Sequence, residues 1–287
     1  MSFDRRELGT ILKILRRDPL SIIGGIIVIV FVAIALTVFI FGNSILPYNP
    51  NAINFNLRLL PPTTTHPMGT DQLGRDILSR VIDATPIDAE IAFSIVGIAF
   101  IVGLAIGSVA GYLGGGVDNA LMRITDLFLS IPTLILAIAI SVALGPGIVH
   151  VIEATTITWW PIYARLSRAG ALSVRESQFV ESAQISGLSR VSILERHIVP
   201  NILTVLITYA TLDFGGAIIY ASVLSYLGLG AQPPQAEWGR MVFDGQTYLA
   251  SAWWLSLMPG LVILIVALGF NLLGDSIRDI LDPRYRR

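Results

Sequence analysis

The sequence has no cysteine, one lysine and three histidines among 287 residues. Without cysteine it can form no disulfide, thiolate nucleophile or cysteine metal site. The single lysine, Lys13, follows Leu12 instead of the glycine that a phosphate-binding loop requires, so the chain lacks that means of holding ATP. No carboxylate or second histidine stands at ligand spacing from His66, His150 or His197, so we expect no metal site. Nothing resembles a Ser/His/Asp constellation either, and we expect no catalytic residue and no cofactor on this chain.

Charged residues are also scarce, at 14% of the chain, whereas an ordinary soluble domain has about a quarter. The net charge of −1 and the pI of about 6.3 give no electrostatic reason to expect nucleic acid as a partner. Apolar residues make up 54% of the chain, and the mean hydropathy is +0.72. This composition indicates a protein whose solvent is the lipid bilayer.

The apolar residues are concentrated in runs, and about 20 such residues are needed to cross a bilayer. Six runs are long enough: 20–41, 91–112, 127–144, 148–166, 202–227 and 253–273. Two of them contain a carboxylate, Glu153 in the fourth and Asp213 in the fifth. We therefore predict an all-α integral membrane protein with six transmembrane helices. Its first helix is an uncleaved anchor, because the run is too long for the core of a signal peptide.

The positions of lysine and arginine predict the orientation, since cytoplasmic segments retain positive charge. With the N-terminus inside, 15 of the 19 basic residues fall on the inner side, and both termini are cytoplasmic. The predicted organisation is a cytoplasmic tail (1–19), a transmembrane anchor (20–41), an external loop (42–88), a core domain with five transmembrane helices (89–275) and a cytoplasmic tail (276–287). Within the core, residues 167–200 form a cytoplasmic loop.

This cytoplasmic loop is much longer than the usual connection of 2–8 residues between packed helices. From Arg175 to Arg196 it reads RESQFVESAQISGLSRVSILER, with Gly187 at its middle. The apolar positions form an interrupted stripe of Phe179, Val180, Ala183, Leu188, Val191 and Leu194. The pattern predicts two short helices with a turn at Gly187, which either offer a face to another protein or lie at the membrane surface without a partner.

Glu181, Ala183 and Gly187, followed by Pro200, resemble the cytoplasmic loop of bacterial and archaeal ABC importer permeases, with Ser182 in place of the middle alanine of their Glu-Ala-Ala motif. Four further segments resemble the dipeptide/oligopeptide subfamily and stand in the order found there. They are HPMGTDQLGRDILSR (66–80), YARLSR (163–168), LSYLGLGAQPP (224–234) and FNLLGDSIRDILDPRYR (270–286). The resemblance covers nearly the whole chain.

The resemblance implies a type I ABC importer permease fold in the prokaryotic plasma (inner) membrane. It also implies four kinds of partner: a second homologous permease subunit, two ATP-binding subunits that hydrolyse ATP, an extracytoplasmic solute-binding protein and the lipid bilayer. The chain itself would be a transport subunit and not an enzyme. Its ATPase-coupling loop would contain Glu181, Ala183, Gly187, His197 and Pro200.

The two intramembrane carboxylates, Glu153 and Asp213, are candidates for lining the pathway, because charges within spans usually face a cavity or a partner. Glu153 could instead reach the outer interface. The family often has glutamate at the position of Ala221, and its absence leaves that feature unassigned. In the external loop 228–252, Trp238 and Arg240 are residue types that anchor protein contacts, so they are candidates for contacting the binding protein.

Two other classes of function compete with the importer permease. One is an ion channel or uniporter without ATP, and the long Gly-interrupted loop speaks against it. The other is a membrane-embedded enzyme, which would need carboxylates, histidines or a nucleophile brought together within the spans. Within the importer class, dipeptides and oligopeptides are the preferred substrate, with oligosaccharides and nickel as alternatives.

Overall fold

The computed structural model describes residues 19–281, and ten α-helices lie in this range. They are α1 (Pro19–Phe41), α2 (Ile77–Leu113), α3 (Gly115–Leu129), α4 (Thr133–Leu144), α5 (Ile148–Arg175), α6 (Gln178–Ile185), α7 (Arg190–Ile193), α8 (Val199–Tyr226), α9 (Trp238–Gly245) and α10 (Trp254–Leu281). The predicted tail 1–19 lies outside the described residues except for Pro19. The predicted tail 276–287 is described only as far as the end of α10.

Four of the described helices, α1, α2, α8 and α10, are long and apolar enough to cross a membrane. The pair α3 and α4 is a fifth candidate if the two helices together make one span. Helix α5 covers the predicted span 148–166 as a continuous helix of 28 residues. It is not among the apolar candidates, because Glu153, Arg165 and Arg168 interrupt its apolar residues. The described chain is thus all-helical, with four to five candidate spans.

The predicted third span, 127–144, is not one straight helix. Helix α3 ends at Leu129, α4 begins at Thr133, and their axes differ by 85°. Pro132 explains the break, because proline has no N–H to continue the helix and disfavours the helical conformation of the residue before it, Ile131. Counting apolar residues alone misses such a bend.

Helix α2 begins at Ile77, well inside the predicted external loop 42–88. Asp76 starts it by accepting a hydrogen bond from the Ser79 N–H at 2.7 Å, as N-cap carboxylates do. With 37 residues the helix is about 55 Å long, whereas the hydrocarbon core of a bilayer is about 30 Å thick. Its charged first turns therefore extend the helix beyond the apolar part that the sequence predicts as a span.

Helices α2 and α5 pack backbone to backbone along a line of glycines. Gly103, Gly107 and Gly111 recur every four residues on one face of α2. A Cβ at Gly107 would lie 2.1 Å from the carbonyl oxygen of Ala164, and one at Gly111 would lie 2.6 Å from that of Arg168. Small residues at this spacing allow membrane helices to approach each other closely. The α2–α5 pair forms the rigid centre of the described chain.

Residues 42–76 and 228–253, which we call the cap, cover the N-terminal end of α2. The motif that begins at His66 folds here: the His66 Nδ1 atom lies 2.8 Å from Asp76 Oδ1, and both side chains are buried. The indole N–H of Trp254 donates to the Thr70 carbonyl at 3.2 Å. These two contacts hold the motif together and attach it to the first residue of α10.

Candidate coupling loop and intramembrane carboxylate

The predicted cytoplasmic loop 167–200 contains two short helices with a turn between them, as the sequence predicts. Helix α5 continues to Arg175, α6 and α7 follow, and the turn lies at residues 186–189. After α7 one π-helical turn, Leu194–Ile198, leads directly into α8. We call residues 176–200 the coupling loop, after the role that the resemblance implies.

Gly187 makes the turn at the end of α6. Its φ is +79°, in the left-handed region that glycine occupies without steric cost. The Leu188 N–H donates to the Ala183 carbonyl at 3.2 Å and the Gly187 N–H to the Gln184 carbonyl at 3.0 Å, which is the hydrogen-bond pattern of a Schellman motif. No atom of the described chain lies within 4 Å of a Cβ added at Gly187. The constraint on this position within the chain is therefore the backbone conformation, not the available space.

The inner face of the coupling loop is tied to the two central helices. Six buried apolar residues pack together there, and we call them the coupling cluster: Tyr112 of α2, Ala171 of α5, Val180, Ala183, Ile193 and Ile198. Because each tightly packed contact resists sliding, a displacement of α6 or α7 moves the ends of α2 and α5 with it. The cluster gives Ala183 a structural role as part of this anchor.

The outer face of the coupling loop presents apolar side chains to its surroundings. Phe179 is 46% exposed, Val191 62% and Ile185 81%, and Glu181 is also exposed. The single predicted apolar stripe is therefore divided between two faces. The sequence-based stripe omits Ile185, although an isoleucine at the end of a short cytoplasmic helix was a usable signal. The exposure of these side chains leaves the outer face accessible to a partner protein.

His197 and Pro200 lie where the coupling loop joins α8. The His197 ring is half-buried, with its centroid 6.2 Å from that of Phe179. The Val199 N–H donates to the Leu194 carbonyl, which closes the π-helical turn. Pro200 follows in the first turn of α8, where its missing N–H and its ring interrupt the regular hydrogen-bond pattern. Both residues thus belong to the junction and not to the outer face of α6 and α7.

Two arginines of the YARLSR segment hold α5 against α3. The Arg168 guanidinium binds Asp118 through two bonds, Nε to Oδ1 at 2.5 Å and Nη2 to Oδ2 at 2.7 Å. Arg165 Nη2 donates to Asp126 Oδ1 at 2.6 Å. The bidentate pair fixes geometry as well as charge, so this motif is explained by helix packing next to the coupling loop.

Asp213 lies in the middle of α8 and faces α5. Its Oδ2 atom accepts hydrogen bonds from the Trp159 indole N–H and from the Tyr163 hydroxyl, the latter at 2.9 Å. The Asp213 side chain is half-buried. Sequence reasoning singles out Asp213 but misses both donors. Their spacing of four residues, which places two polar-tipped aromatic side chains on one face of a predicted span, was the available signal.

Glu153 lies in the second turn of α5 and is exposed in the described chain. The hydrogen bonds of Asp213 go to Trp159 and Tyr163, so the structure does not bring the two intramembrane carboxylates into one site. A shared carboxylate centre, as a membrane-embedded enzyme would need, is not formed by these two residues.

Residues 103–287 match the family described as "Binding-protein-dependent transport system inner membrane component". The chain belongs to this family. Residues 8–62 also match the "N-terminal TM domain of oligopeptide transport permease C". The chain is thus an inner-membrane permease component of a binding-protein-dependent transport system.

Individual relatives of this permease cover most of its length. It is 42% identical to the "Probable D,D-dipeptide transport system permease protein DdpC" of Escherichia coli (strain K12) over 94% of this chain and 89% of that protein. It is 40% identical to the "Dipeptide transport system permease protein DppC" of Alkalihalophilus pseudofirmus over 96% and 89%. It is also 40% identical to the "Nickel transport system permease protein NikC" of Escherichia coli (strain K12) over 83% and 86%.

The fold of the permease is similar to that of a chain in inward-facing structures of the MetNI methionine ABC transporter. The TM-score is 0.57 at 18% identity, and the match covers 70% of this chain and 96% of that one. At this identity the likeness establishes a shared fold. The permease therefore has the fold of an ABC importer permease.

Trp238 and Arg240 of the permease, the candidates for contacting a binding protein, lie at the start of α9. Trp238 is only 1% exposed, and its indole N–H donates to the Val81 carbonyl of α2 at 3.0 Å. Its ring is thus part of the core and has no exposed surface for a binding protein in this conformation. Arg240 Nε donates to Asp244 Oδ1 at 2.9 Å, and its guanidinium lies over the Phe243 ring.

Glu237 precedes Trp238 and is fully buried in the permease, a feature that sequence reasoning misses. Its carboxylate caps α9 by accepting from the Gly239 N–H at 2.9 Å and the Arg240 N–H at 2.8 Å. The buried carboxyl group of Asp88 in α2 lies next to this cap and accepts a hydrogen bond from the Trp238 N–H at 3.3 Å. Burial raises the pKa of Glu237. The two hydrogen bonds of Trp238, to Asp88 and to the Val81 carbonyl, hold this part of the cap on α2.

Proposed function

We propose that this permease is one of two homologous membrane subunits of an ATP-driven importer for dipeptides and oligopeptides. Two ATP-binding subunits lie beneath the pair and hydrolyse ATP, and an extracytoplasmic binding protein delivers the solute. The main observation that supports this proposal is the structure of the coupling loop. Its outer face offers Phe179, Ile185 and Val191 to a groove of the ATPase, while its inner face is anchored to α2 and α5 by the coupling cluster. An ATP-independent channel would have no use for such a loop.

Peptide as the solute is supported by the names of relatives that cover nearly the whole chain. The two relatives named for dipeptide transport match 94% and 96% of it, whereas the nickel permease matches 83%. Nickel is therefore the second candidate solute, and oligosaccharides are a third that no relative named above supports. The pathway is proposed to run beside α5 and α8, where Asp213 lies.

The proposed topology has six spans with both termini in the cytoplasm. Five are the apolar candidates, with α3 and α4 together as one bent span, and α5 is the sixth. Its polar residues are acceptable in a membrane if they face the pathway or other helices, as Asp213 and its partners do. This topology places the coupling loop in the cytoplasm and the cap outside.

The topology is tested by cysteine labelling. Because the wild-type chain has no cysteine, it serves as the unlabelled control. Thr64→Cys changes an exposed residue of the cap, and Ser186→Cys changes an exposed residue of the coupling-loop turn. In right-side-out vesicles a membrane-impermeant maleimide is expected to label the Thr64→Cys variant alone. After permeabilisation it should label both. Labelling of the Ser186→Cys variant in sealed vesicles would contradict the topology.

The proposed function is tested by purifying the tagged permease from native membranes and reconstituting the complex in liposomes. A second permease and two ATPase subunits are expected to copurify. Uptake of alanylalanine should then require both ATP and the peptide-loaded binding protein, since energy from hydrolysis reaches the pathway through the coupling loop. Recovery of a stable homo-oligomer that conducts solute without an ATPase would refute the proposal. Uptake of nickel instead of peptide would decide for the second solute.

A further inference from the structure

One face of α8 carries a carboxylate between two aromatic residues, and all of its members are half-buried. They recur at spacings of four, three and four residues, so they lie in one line along the helix. They are Tyr209, Asp213, Gly216 and Tyr220. Opposite them α5 presents Trp159 and Tyr163, which are buried. We call these six residues the Asp213 pocket.

The carboxylate of this pocket is hydrogen-bonded on one side only. Both of its donors, Trp159 and Tyr163, bind the Oδ2 atom. No arginine, lysine or histidine within residues 19–281 forms an ion pair with Asp213. A carboxylate within a span is costly without a cation or a set of donors. The Oδ1 atom is thus the place where a cationic ligand would bring the missing charge.

Residue 216 has no side chain, so no atom from this position of α8 covers the Asp213 Oδ1 atom. A Cβ added at Gly216 would lie 3.7 Å from Asp213 Oδ1 and 3.6 Å from Cζ2 of Trp159, which are ordinary contact distances. By contrast, a Cβ at the neighbouring Gly215 would lie 2.7 Å from the carbonyl oxygen of Ala267. Gly215 is therefore needed for packing against α10, whereas Gly216 leaves space at the carboxylate.

Aromatic rings border the carboxylate on both sides along the helix axis. Trp159 and Tyr220 pack edge to face with centroids 4.7 Å apart, and Tyr163 and Tyr209 do so at 5.3 Å. The faces of such rings attract ammonium groups and add to the attraction of a nearby carboxylate. A divalent metal ion would need several oxygen ligands, and the pocket has one carboxylate. Its chemistry is that of an amine site.

We propose that the Asp213 pocket binds a protonated amine, and that its natural occupant is the N-terminal ammonium of a peptide in transit. The ammonium donates to Asp213 Oδ1 and lies against the tyrosine rings. This identification of the occupant rests on the proposed peptide import, whereas the preference for an amine rests on the pocket alone. The pocket would thus bind the ammonium end of a solute without selecting among its side chains.

The test measures binding of alanylalanine to the complete importer in phosphatidylcholine nanodiscs, without ATP or binding protein, by saturation-transfer NMR. N-acetyl-alanylalanine, which lacks the charged amine, is the matched probe. The wild-type complex is expected to bind the free dipeptide about tenfold more tightly than the acetylated one. Asp213→Asn should abolish this preference, and because asparagine keeps an oxygen for both donors, the fold should persist. Glu90→Gln, at an exposed carboxylate of α2 outside the pocket, should leave the preference unchanged.

A second pair of variants separates the pocket from the charge. Gly216→Leu retains Asp213 but fills the space beside Oδ1, so the preference for the free amine should also be lost. Gly216→Ala adds a single methyl group at ordinary contact distance and should weaken the preference only slightly. The unfolding temperature of each purified complex reports whether the fold is retained. Equal affinity of the wild type for both probes, or an unchanged preference in Asp213→Asn, would overturn the proposal.

These outcomes are distinct from a failure of the proposed function. If dipeptide uptake requires ATP and the binding protein but Asp213→Asn keeps the amine preference, the function stands and the pocket assignment falls. If the reconstituted importer carries nickel while the pocket still prefers the free amine, the assignment of the pocket to amines stands and the peptide occupant falls.

Discussion

Replacing Gly187 with aspartate is expected to abolish solute uptake while the amount of permease in the membrane stays near the wild-type level. The variant chain can fold because no atom of the described chain lies within 4 Å of the added Cβ. The cost of a side chain at a φ of +79° is about 1–2 kcal/mol for most residues, and aspartate tolerates this region better than most. We expect the damage at the outer face of the coupling loop, where a charge would enter the apolar contact with the ATPase that we propose.

Three substitutions of Gly187, to alanine, asparagine and aspartate, should lower solute uptake to increasing extents. Gly187→Ala adds one methyl group and should lower uptake only partly, while Gly187→Asn adds the volume of aspartate without its charge and should be intermediate. Uptake and ATP hydrolysis are measured in proteoliposomes, with permease abundance as the folding control. ATP hydrolysis of the aspartate variant should either be absent or no longer respond to the loaded binding protein. Wild-type uptake by Gly187→Asp would mean that the loop does not couple.

Gly107→Val, unlike Gly187→Asp, should reduce the amount of folded permease in the membrane. The valine Cβ would lie 2.1 Å from the Ala164 carbonyl oxygen and 2.6 Å from the Ser167 Cβ, so α2 and α5 would have to separate. Substitutions that break central packing in this way cost about 4 kcal/mol or more, which approaches the whole stability of many proteins. We expect little or no full-length protein in the membrane fraction by immunoblot.

Gly97→Val is the matched control on the same helix. No neighbouring atom among residues 19–281 lies within 4 Å of a Cβ added at Gly97, so this variant has the same change in helix propensity without the steric clash. Its abundance should be close to that of the wild type. Equal abundance of the two variants would show that the line of glycines does not hold α2 against α5.

The coupling loop could be predicted in some detail because its signals are local. A glycine between two amphipathic stretches specifies a turn, and the structure supplies the positive φ and the Schellman hydrogen bonds at Gly187. The division of the apolar stripe into a buried and an exposed face could not be predicted. It depends on where Tyr112 and Ala171 lie, and these belong to helices distant in sequence.

For the membrane helices, too, the sequence predicts the local properties of a segment but not its long-range contacts. Apolar runs predict the helices α1 and α8 and the start of α10 closely, since length and hydropathy are properties of each segment, whereas α10 continues to Leu281, past the predicted end at residue 273. The bend at residues 130–132 needs the backbone chemistry of Pro132 in addition. The partners of Asp213 and the hydrogen bond between Asp88 and Trp238 depend on contacts across 50 or more residues. A single sequence carries no direct signal for such contacts.

The length of α2 makes it a lever. Near one end its Val81 carbonyl is bound by Trp238 of the cap, and at the other end Tyr112 belongs to the coupling cluster. Pro86 removes one hydrogen bond near the cap end, and the remaining 27 residues to Leu113 form an uninterrupted rod. A tilt of about 10° around the middle of this rod, which is about 40 Å long, moves its two ends by about 3.5 Å in opposite directions. If α2 tilts as one body when the coupling loop is displaced, the opposite end of the rod would move in the opposite direction, without a chain of small rearrangements between the two ends.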